Sequence, residues 1–176
     1  MVDNKRSESN SRNVALAASL AALYAAGVIF FAPISFQAIQ VRVADALLPL
    51  SIIFGPPAVA GLTLGALLGN YYASGFGAID IVGGTVANLV ATTLAWYVGR
   101  RRTSGAWLTA IVVEVLAVSG IVGSYLAGLT NTPLWLMFLQ LAVGEAIAVG
   151  IGGYALLSAV GRVIGWPGPV SAEKPS

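Results

Sequence analysis

The 176-residue chain contains neither cysteine nor histidine. Those two absences exclude disulfides, Cys/His zinc sites, haem ligation by either side chain, thiol nucleophiles and imidazole acid–base chemistry. Charge is scarce as well: 9% of residues are Asp, Glu, Lys or Arg, against about 25% in an ordinary soluble domain. That deficit excludes intrinsic disorder, a nucleic-acid binder and most soluble enzymes. There is also no Gly-rich phosphate loop ending in Lys and Ser/Thr, so the chain hydrolyses no ATP itself. What is abundant is apolar surface, with 57% hydrophobic residues and a mean hydropathy of +0.86. The expectation is an integral membrane protein of one domain, not an enzyme, with no cofactor and no metal.

The few charges are placed in an ordered way. Asp3, Lys5, Arg6, Glu8 and Arg12 precede the first apolar run; Arg100, Arg101 and Arg102 form a triplet; Arg162, Glu173 and Lys174 lie near the carboxy end. A spanning helix needs about 20 apolar residues. Six candidates meet or approach this: Asn13 to Phe31, Val41 to Phe54, Pro56 to Tyr72, Ile79 to Gly99, Trp107 to Gly128 and Pro133 to Gly161. The second is short, and Pro49 with Pro56 and Pro57 predicts a bent helix that depends on protein neighbours. The sixth is long enough to tilt, or to hold two helical pieces around Gly150 to Gly153. The fold class expected is therefore all-α, a six-transmembrane-helix bundle over residues 13–162. Residues 1–12 and 163–176 are expected to be cytoplasmic tails. Basic residues stay on the cytoplasmic side, and six crossings put every basic cluster on that side of the plasma membrane. A cleavable signal peptide is the competing reading of the first run, disfavoured because no small-residue cleavage site ends it before Pro33.

This topology turns three loops outward: Ala32 to Gln40, Ala73 to Ala78, and Leu129 to Thr132. The first, carrying Ser35, Phe36 and Gln37, and the Gly-hinged third are candidates to close over a cavity, although plain connections would look the same. Small residues recur at every fourth position in three segments: Ala18, Ala22 and Ala26; Gly61, Gly65 and Gly69; and Gly144, Ala148 and Gly152. Such rows let membrane helices approach closely. Packing within the bundle is favoured for the last two. The first stands on a terminal helix and is a candidate docking face for another subunit.

Polar residues at membrane depth carry the functional signal, because a charge there costs about 2.5–3.5 kcal/mol or more. Arg42 and Asp45 are three apart and able to neutralise each other. Asp80 lies at the positive end of the fourth segment, on one face with Gly84 and Asn88, and Asn70 reaches the same region. Helix capping and helix–helix hydrogen bonding are the ordinary readings of these residues. Glu145 has no partner within its own helix, with Gln140 above it, whereas Glu114 lies near enough to the cytoplasmic end either to snorkel or to face a partner, which makes it a weaker candidate for ligand contact. One arginine against four carboxylates suits a cation, or a neutral heterocycle that donates from an amino or ring N–H edge, since a carboxylate accepts two parallel N–H bonds. Phe31, Phe36, Tyr71, Tyr72 and Trp135 are able to stack on a flat ring, but interfacial belts claim most of them.

The run Pro33-Ile-Ser-Phe-Gln-Ala-Ile-Gln-Val-Arg-Val-Ala-Asp-Ala-Leu-Leu-Pro-Leu resembles the signature of the queuosine-precursor transporter (QueT) family. The likeness continues through Gly61-Leu-Thr-Leu-Gly65, Asn70, Asp80, Gly83 to Asn88, and Gly144-Glu145-Ala146, covering most of residues 14–161. It implies the substrate-binding S-component of an energy-coupling-factor importer, capturing a 7-deazaguanine such as queuine. The implied partners are a transmembrane T-component and two ABC-type ATPases, met through Ala18, Ala22 and Ala26, with membrane lipid around the bundle. The implied substrate-binding residues are Gln40, Arg42 and Asp45 as an outer wall, Asn70, Asp80 and Asn88 opposite, and Glu145 below. Asp45 stands where the family often carries Glu, and Glu114 departs from its pattern. The alternatives are a similar transporter for another vitamin or purine-like base, and a small polytopic membrane enzyme or assembly subunit.

Overall fold

A computed structural model describes residues 2–32, 41–73, 75–101 and 103–166. All regular structure among them is helical. The elements are α1 (Val2–Phe30), a 3-10 segment (Val43–Leu47), α2 (Leu50–Phe54), α3 (Pro56–Ala73), α4 (Ala78–Gly99), α5 (Ser104–Thr130), α6 (Leu134–Glu145), a π-helical segment (Ala146–Gly153) and α7 (Tyr154–Val163). They form an all-α membrane bundle in which six helical units follow one another as the apolar runs predict.

Four units are long and apolar enough to cross a membrane: Glu8–Phe30, Ala78–Gly99, Gly105–Thr130 and Leu134–Val163. The third unit, α3, is 18 residues long but is diluted by Pro56, Pro57, Asn70 and the Tyr71-Tyr72 pair. The second unit is the bent one. It breaks into the 3-10 segment and α2, and α2 stops at Gly55, whose φ of 65° suits glycine and turns the chain into α3. The sixth unit does not split: Leu134 to Val163 runs on as one helix whose middle is π-helical. The first helix starts at Val2, well before the first apolar residue of its span.

Packing follows the rule for lipid as solvent. α1 packs on α3, α3 on α4, α4 on α5 and α5 on α6, while the broken second unit sits against the π segment, α1 and α4. Small residues point inward, among them Ala58, Ala66, Ala87, Ala91, Ala95 and Ala110, and large ones such as Leu67, Val86, Leu116, Val143 and Ile151 point outward. Glycines set the closest approaches. A Cβ on Gly65 would lie 2.8 Å from the Ala21 carbonyl oxygen and from Tyr24 Cβ, and one on Gly61 would strike the Ala17 carbonyl. The glycine row of α3 is thus spent on α1, as the packing reading requires. Exposed Tyr71, Tyr72 and Trp135 face away from the interior, which fits the interfacial belt and not ring stacking. The turn at Asn131 is short and left-handed (φ 53°), and it is tied by Thr132 N–H donating to the Ala127 carbonyl.

Candidate functional site

The break in the second unit is what brings polar groups into the bundle. Val41 and Arg42 enter without regular structure, and the 3-10 turn is pinned by Asp45 N–H to the Arg42 carbonyl (2.8 Å) and Leu48 N–H to the Asp45 carbonyl (2.9 Å). A 3-10 turn has three residues per turn, so Arg42 and Asp45 project from nearly the same side, and both are buried. Each attracts the other, but their hydrogen bonds go elsewhere. Arg42 Nη2 donates to Asn70 Oδ1 at 2.5 Å, and Asp45 Oδ1 accepts the Tyr24 hydroxyl. The mutual neutralisation expected from their spacing is therefore electrostatic, with each hydrogen-bonded to a different helix.

Asn70 lies in the last turn of α3 and Asp80 in the first turn of α4, and α3 packs on α4, so the two sit at the same end of the bundle. Asp80, Gly84 and Asn88 are all buried, as one helical face predicts. Asp80 Oδ1 accepts the Tyr125 hydroxyl at 2.6 Å, which makes it more than a cap. Gly84 is the space-maker between them. A Cβ there would collide with Asn70 Nδ2 and lie 3.6 Å from Arg42 Nη1. Glycine at this turn of α4 lets the Arg42–Asn70 pair lie flat on the helix.

Glu145 arrives from the opposite wall. It is the last residue of α6, 11 residues and roughly 17 Å from the helix start at 1.5 Å per residue. The π segment begins immediately after it. π turns in α-helices are rare and concentrate at functional sites. Here the wider turn carries Gly152 and Gly153 against the broken second unit: a Cβ on Gly153 would lie 2.8 Å from Pro49 Cγ and 3.3 Å from the Ala46 carbonyl. That contact holds Glu145 opposite Asp45 and within the field of Arg42. Asn88 flanks the Tyr24 hydroxyl on the remaining side.

Six of the seven substrate-binding residues expected from the sequence thus converge: Arg42, Asp45, Asn70, Asp80, Asn88 and Glu145. Each is at most 4% exposed. Gln40, the seventh, lies outside the described residues, as does the rest of the first loop from 33 onward. Sequence reasoning missed Tyr24 and Tyr125. The signal was present, since a tyrosine inside an apolar span must find a partner for its hydroxyl. Of the two readings of Glu114, snorkelling or facing a partner, burial excludes the first. Its helix begins at Ser104, not Trp107, which puts it roughly 15 Å from that end, and it is fully buried, not snorkelling.

What the cluster offers chemically is unspent hydrogen-bonding capacity. Among the described residues, Arg42 Nε, Asn70 Nδ2 and Asn88 Nδ2 are buried donors without an acceptor. Asp45 Oδ2, Asn88 Oδ1 and both Glu145 oxygens are buried acceptors without a donor. Buried polar atoms are nearly always paired, and each unpaired one costs about 1–3 kcal/mol. Donors and acceptors interleaved in this way suit a small, flat, polar molecule with both kinds of group on its edges. No group of three or more Asp or Glu side chains able to hold a metal ion occurs among the described residues.

The expected docking row also has a definite place. Ala18, Ala22 and Ala26 are exposed along the outer face of α1, while Leu20, Ala21, Tyr24 and Val28 are buried on the face toward α3. A sequence model of the QueT transporter family matches residues 14–162. No curated protein and no solved structure matches the chain.

Proposed function

The chain belongs to the QueT transporter family, a membrane transport protein, and we propose that it is the substrate-binding S-component of an energy-coupling-factor importer. Its substrate is a queuosine precursor, a 7-deazaguanine such as queuine. The observation that carries this reading is the pair of Glu145 oxygens, buried and without a donor among the described residues, beside Asp45 and within the field of Arg42. A guanine-like edge presents an amino group and a ring N–H side by side, and a carboxylate accepts both in parallel. The same edge continues into a carbonyl oxygen, for which Arg42 Nε, Asn70 Nδ2 and Asn88 Nδ2 are the available donors. In this reading Tyr24 and Tyr125 are positioning residues that hold Asp45 and Asp80 in place.

The chain carries no nucleotide-hydrolysing motif, so uptake draws its energy from partners. These are a transmembrane T-component and two ABC-type ATPases. The row Ala18, Ala22 and Ala26 is the surface that meets the T-component: its small side chains permit close helix approach, and the bundle leaves it uncovered. The chain sits in the plasma membrane with both termini cytoplasmic. Exposed Arg100, Arg101 and Arg162 lie at the helix ends that the positive-inside rule assigns to the cytoplasm. Arg100 stacks over Tyr97 at 4.2 Å from the ring centre, an interfacial arrangement.

Calorimetric titration of queuine and simpler 7-deazaguanines into the purified protein, beside Glu145→Gln, tests the substrate. Submicromolar binding is expected, weakened in the variant by about 2 kcal/mol, the scale of a hydrogen bond to a charged group. Absence of binding by any 7-deazaguanine to folded protein would refute the assignment.

A further inference from the structure

Three consecutive arginines, Arg100, Arg101 and Arg102, have no part in the site described above, and no acid lies near them in the chain. No Asp or Glu occurs between Asp80 and Glu114, and both of those are buried in the bundle interior. The basic run at the amino end differs, since Lys5, Arg6 and Arg12 alternate there with Asp3 and Glu8. Arg100 and Arg101 are exposed, so their charge is open to a partner of opposite sign.

The corner they occupy is hollow. A groove of about 350 Å³ lies between the carboxy end of α4 and the amino end of α5, lined in part by Tyr97, Arg101, Thr103, Gly105 and Thr109. Tyr97 carries the Arg100 guanidinium on its ring, which sets a second cation beside the lining. Thr103 Oγ1 accepts the Ala106 N–H at 3.2 Å, and its own hydroxyl proton has no acceptor among the described residues. The Thr109 hydroxyl is already donated to the Gly105 carbonyl at 2.8 Å. Two guanidinium groups and a free hydroxyl donor are the chemistry that recognises a phosphate, and the first turn of α5 adds partial charge of the same sign.

Position decides which phosphate. The apolar span of α4 ends at Gly99 and that of α5 begins at Gly105, so the groove lies at the level of lipid headgroups. Leu94, Leu108 and Val112 are exposed. Each is three residues from a lining position on its own helix, hence on the same face. Together they make an apolar strip that leads from the groove toward the membrane centre. A free phosphate makes no use of that strip, whereas acyl chains lie along it. Basic pockets between membrane helices on the cytoplasmic side take anionic headgroups in this way.

We propose that the groove is a binding site for one anionic phospholipid. Arg101 and Arg100 hold its phosphate, Thr103 donates to a phosphate oxygen, and the chains follow Leu94, Leu108 and Val112. The lipid ties the α4–α5 corner to one leaflet, whatever occupies the bundle interior.

The test is native mass spectrometry of the full chain in a neutral detergent, titrated with phosphatidylglycerol or with phosphatidylcholine of identical acyl chains. Wild type is expected to hold phosphatidylglycerol at least fivefold more tightly. Arg101→Gln should weaken it by about fivefold, the effect of one basic side chain near an anionic surface, and leave phosphatidylcholine unchanged. A Cβ on Gly105 meets nothing within 4 Å, so Gly105→Leu narrows the groove without changing charge and should weaken phosphatidylglycerol by a similar factor. Arg12→Gln removes the same charge from α1 and should stay within twofold of wild type. Thermal midpoints report folding, and Gly105→Leu decides the matter if Arg101→Gln does not fold. Equal retention of the two lipids overturns the inference, as does a loss in Arg12→Gln that matches Arg101→Gln, or a Gly105→Leu protein with wild-type retention. Displacement of the lipid by equimolar inorganic phosphate or glycerol 3-phosphate would assign the groove to a soluble anion and overturn the lipid assignment.

Discussion

Replacing Gly84 with alanine isolates the geometry on which the site depends. The added methyl would sit against Asn70 Nδ2 closer than side chains tolerate, and 3.6 Å from Arg42 Nη1. Asn70 is fully buried on a helix, and moving its amide away from that methyl disturbs the 2.5 Å bond from Arg42. A hydrogen bond to a charged group contributes about 1.5–3 kcal/mol, or roughly 10- to 150-fold in affinity at 1.4 kcal/mol per tenfold. The helix itself gains about 1 kcal/mol from exchanging glycine for alanine. That gain is smaller than the cost of the clash and of the released bond, so both readouts should fall. Calorimetric ligand affinity should drop at least tenfold, and the thermal midpoint in detergent should drop with it. Gly120→Ala is the control, since a Cβ there meets nothing within 4 Å and should leave affinity untouched. In an Asn70→Ala background the Gly84→Ala change should cost nothing further in binding, because contacting residues do not contribute additively. A Gly84→Ala protein that binds ligand within twofold of wild type would refute the reasoning.

Two further outcomes are expected. Gly65→Ala drives a methyl to 2.8 Å from the Ala21 carbonyl oxygen and should separate α1 from α3. It should destabilise the bundle by about 1–3 kcal/mol, the usual cost of overpacking, and be seen as a lowered thermal midpoint in detergent. Ala22→Trp on the exposed face of α1 should leave stability and ligand affinity within twofold of wild type. It should nevertheless abolish uptake into vesicles reconstituted with the proposed T-component and ATPases. Unchanged uptake would remove that face from the docking surface.

Much of the bundle was legible because membrane helices announce themselves locally. An apolar run of sufficient length leaves the backbone few options other than a helix, so α4, α5 and the long sixth unit fall close to where hydropathy puts them, while α1 ends there but starts 11 residues earlier, at Val2. The second unit was legible as bent, because Pro49 removes a backbone donor. Its 3-10 form was not, since that depends on what it packs against. The π segment was invisible for the same reason. Gly150, Gly152 and Gly153 mark a weak stretch, but only the approach of Pro49 and Ala46 makes a wider turn the better solution.

The candidate site divides along the same line. Arg42, Asp45, Asp80 and Glu145 stand out in sequence because a charge in an apolar run demands an explanation. Their pairing could not be read from spacing. Arg42 turned from Asp45 to Asn70, Asp45 to Tyr24, and Asp80 to Tyr125, across separations in the chain that no periodicity encodes. Glu114 illustrates the limit from the other side: its residue type was noted, but its distance from the helix end depended on three residues of boundary.

By itself, then, the sequence determined that this chain is a helical membrane bundle with few charges to place and with neither the cysteine nor the histidine that thiol or imidazole chemistry needs. It did so because solvent and composition act on every segment separately. Tertiary structure alone decided which polar atoms meet, which are left unspent, and that two tyrosines hold the acids. Those outcomes depend on where glycines let one helix lie against another, and on a break in the second unit whose shape its neighbours impose.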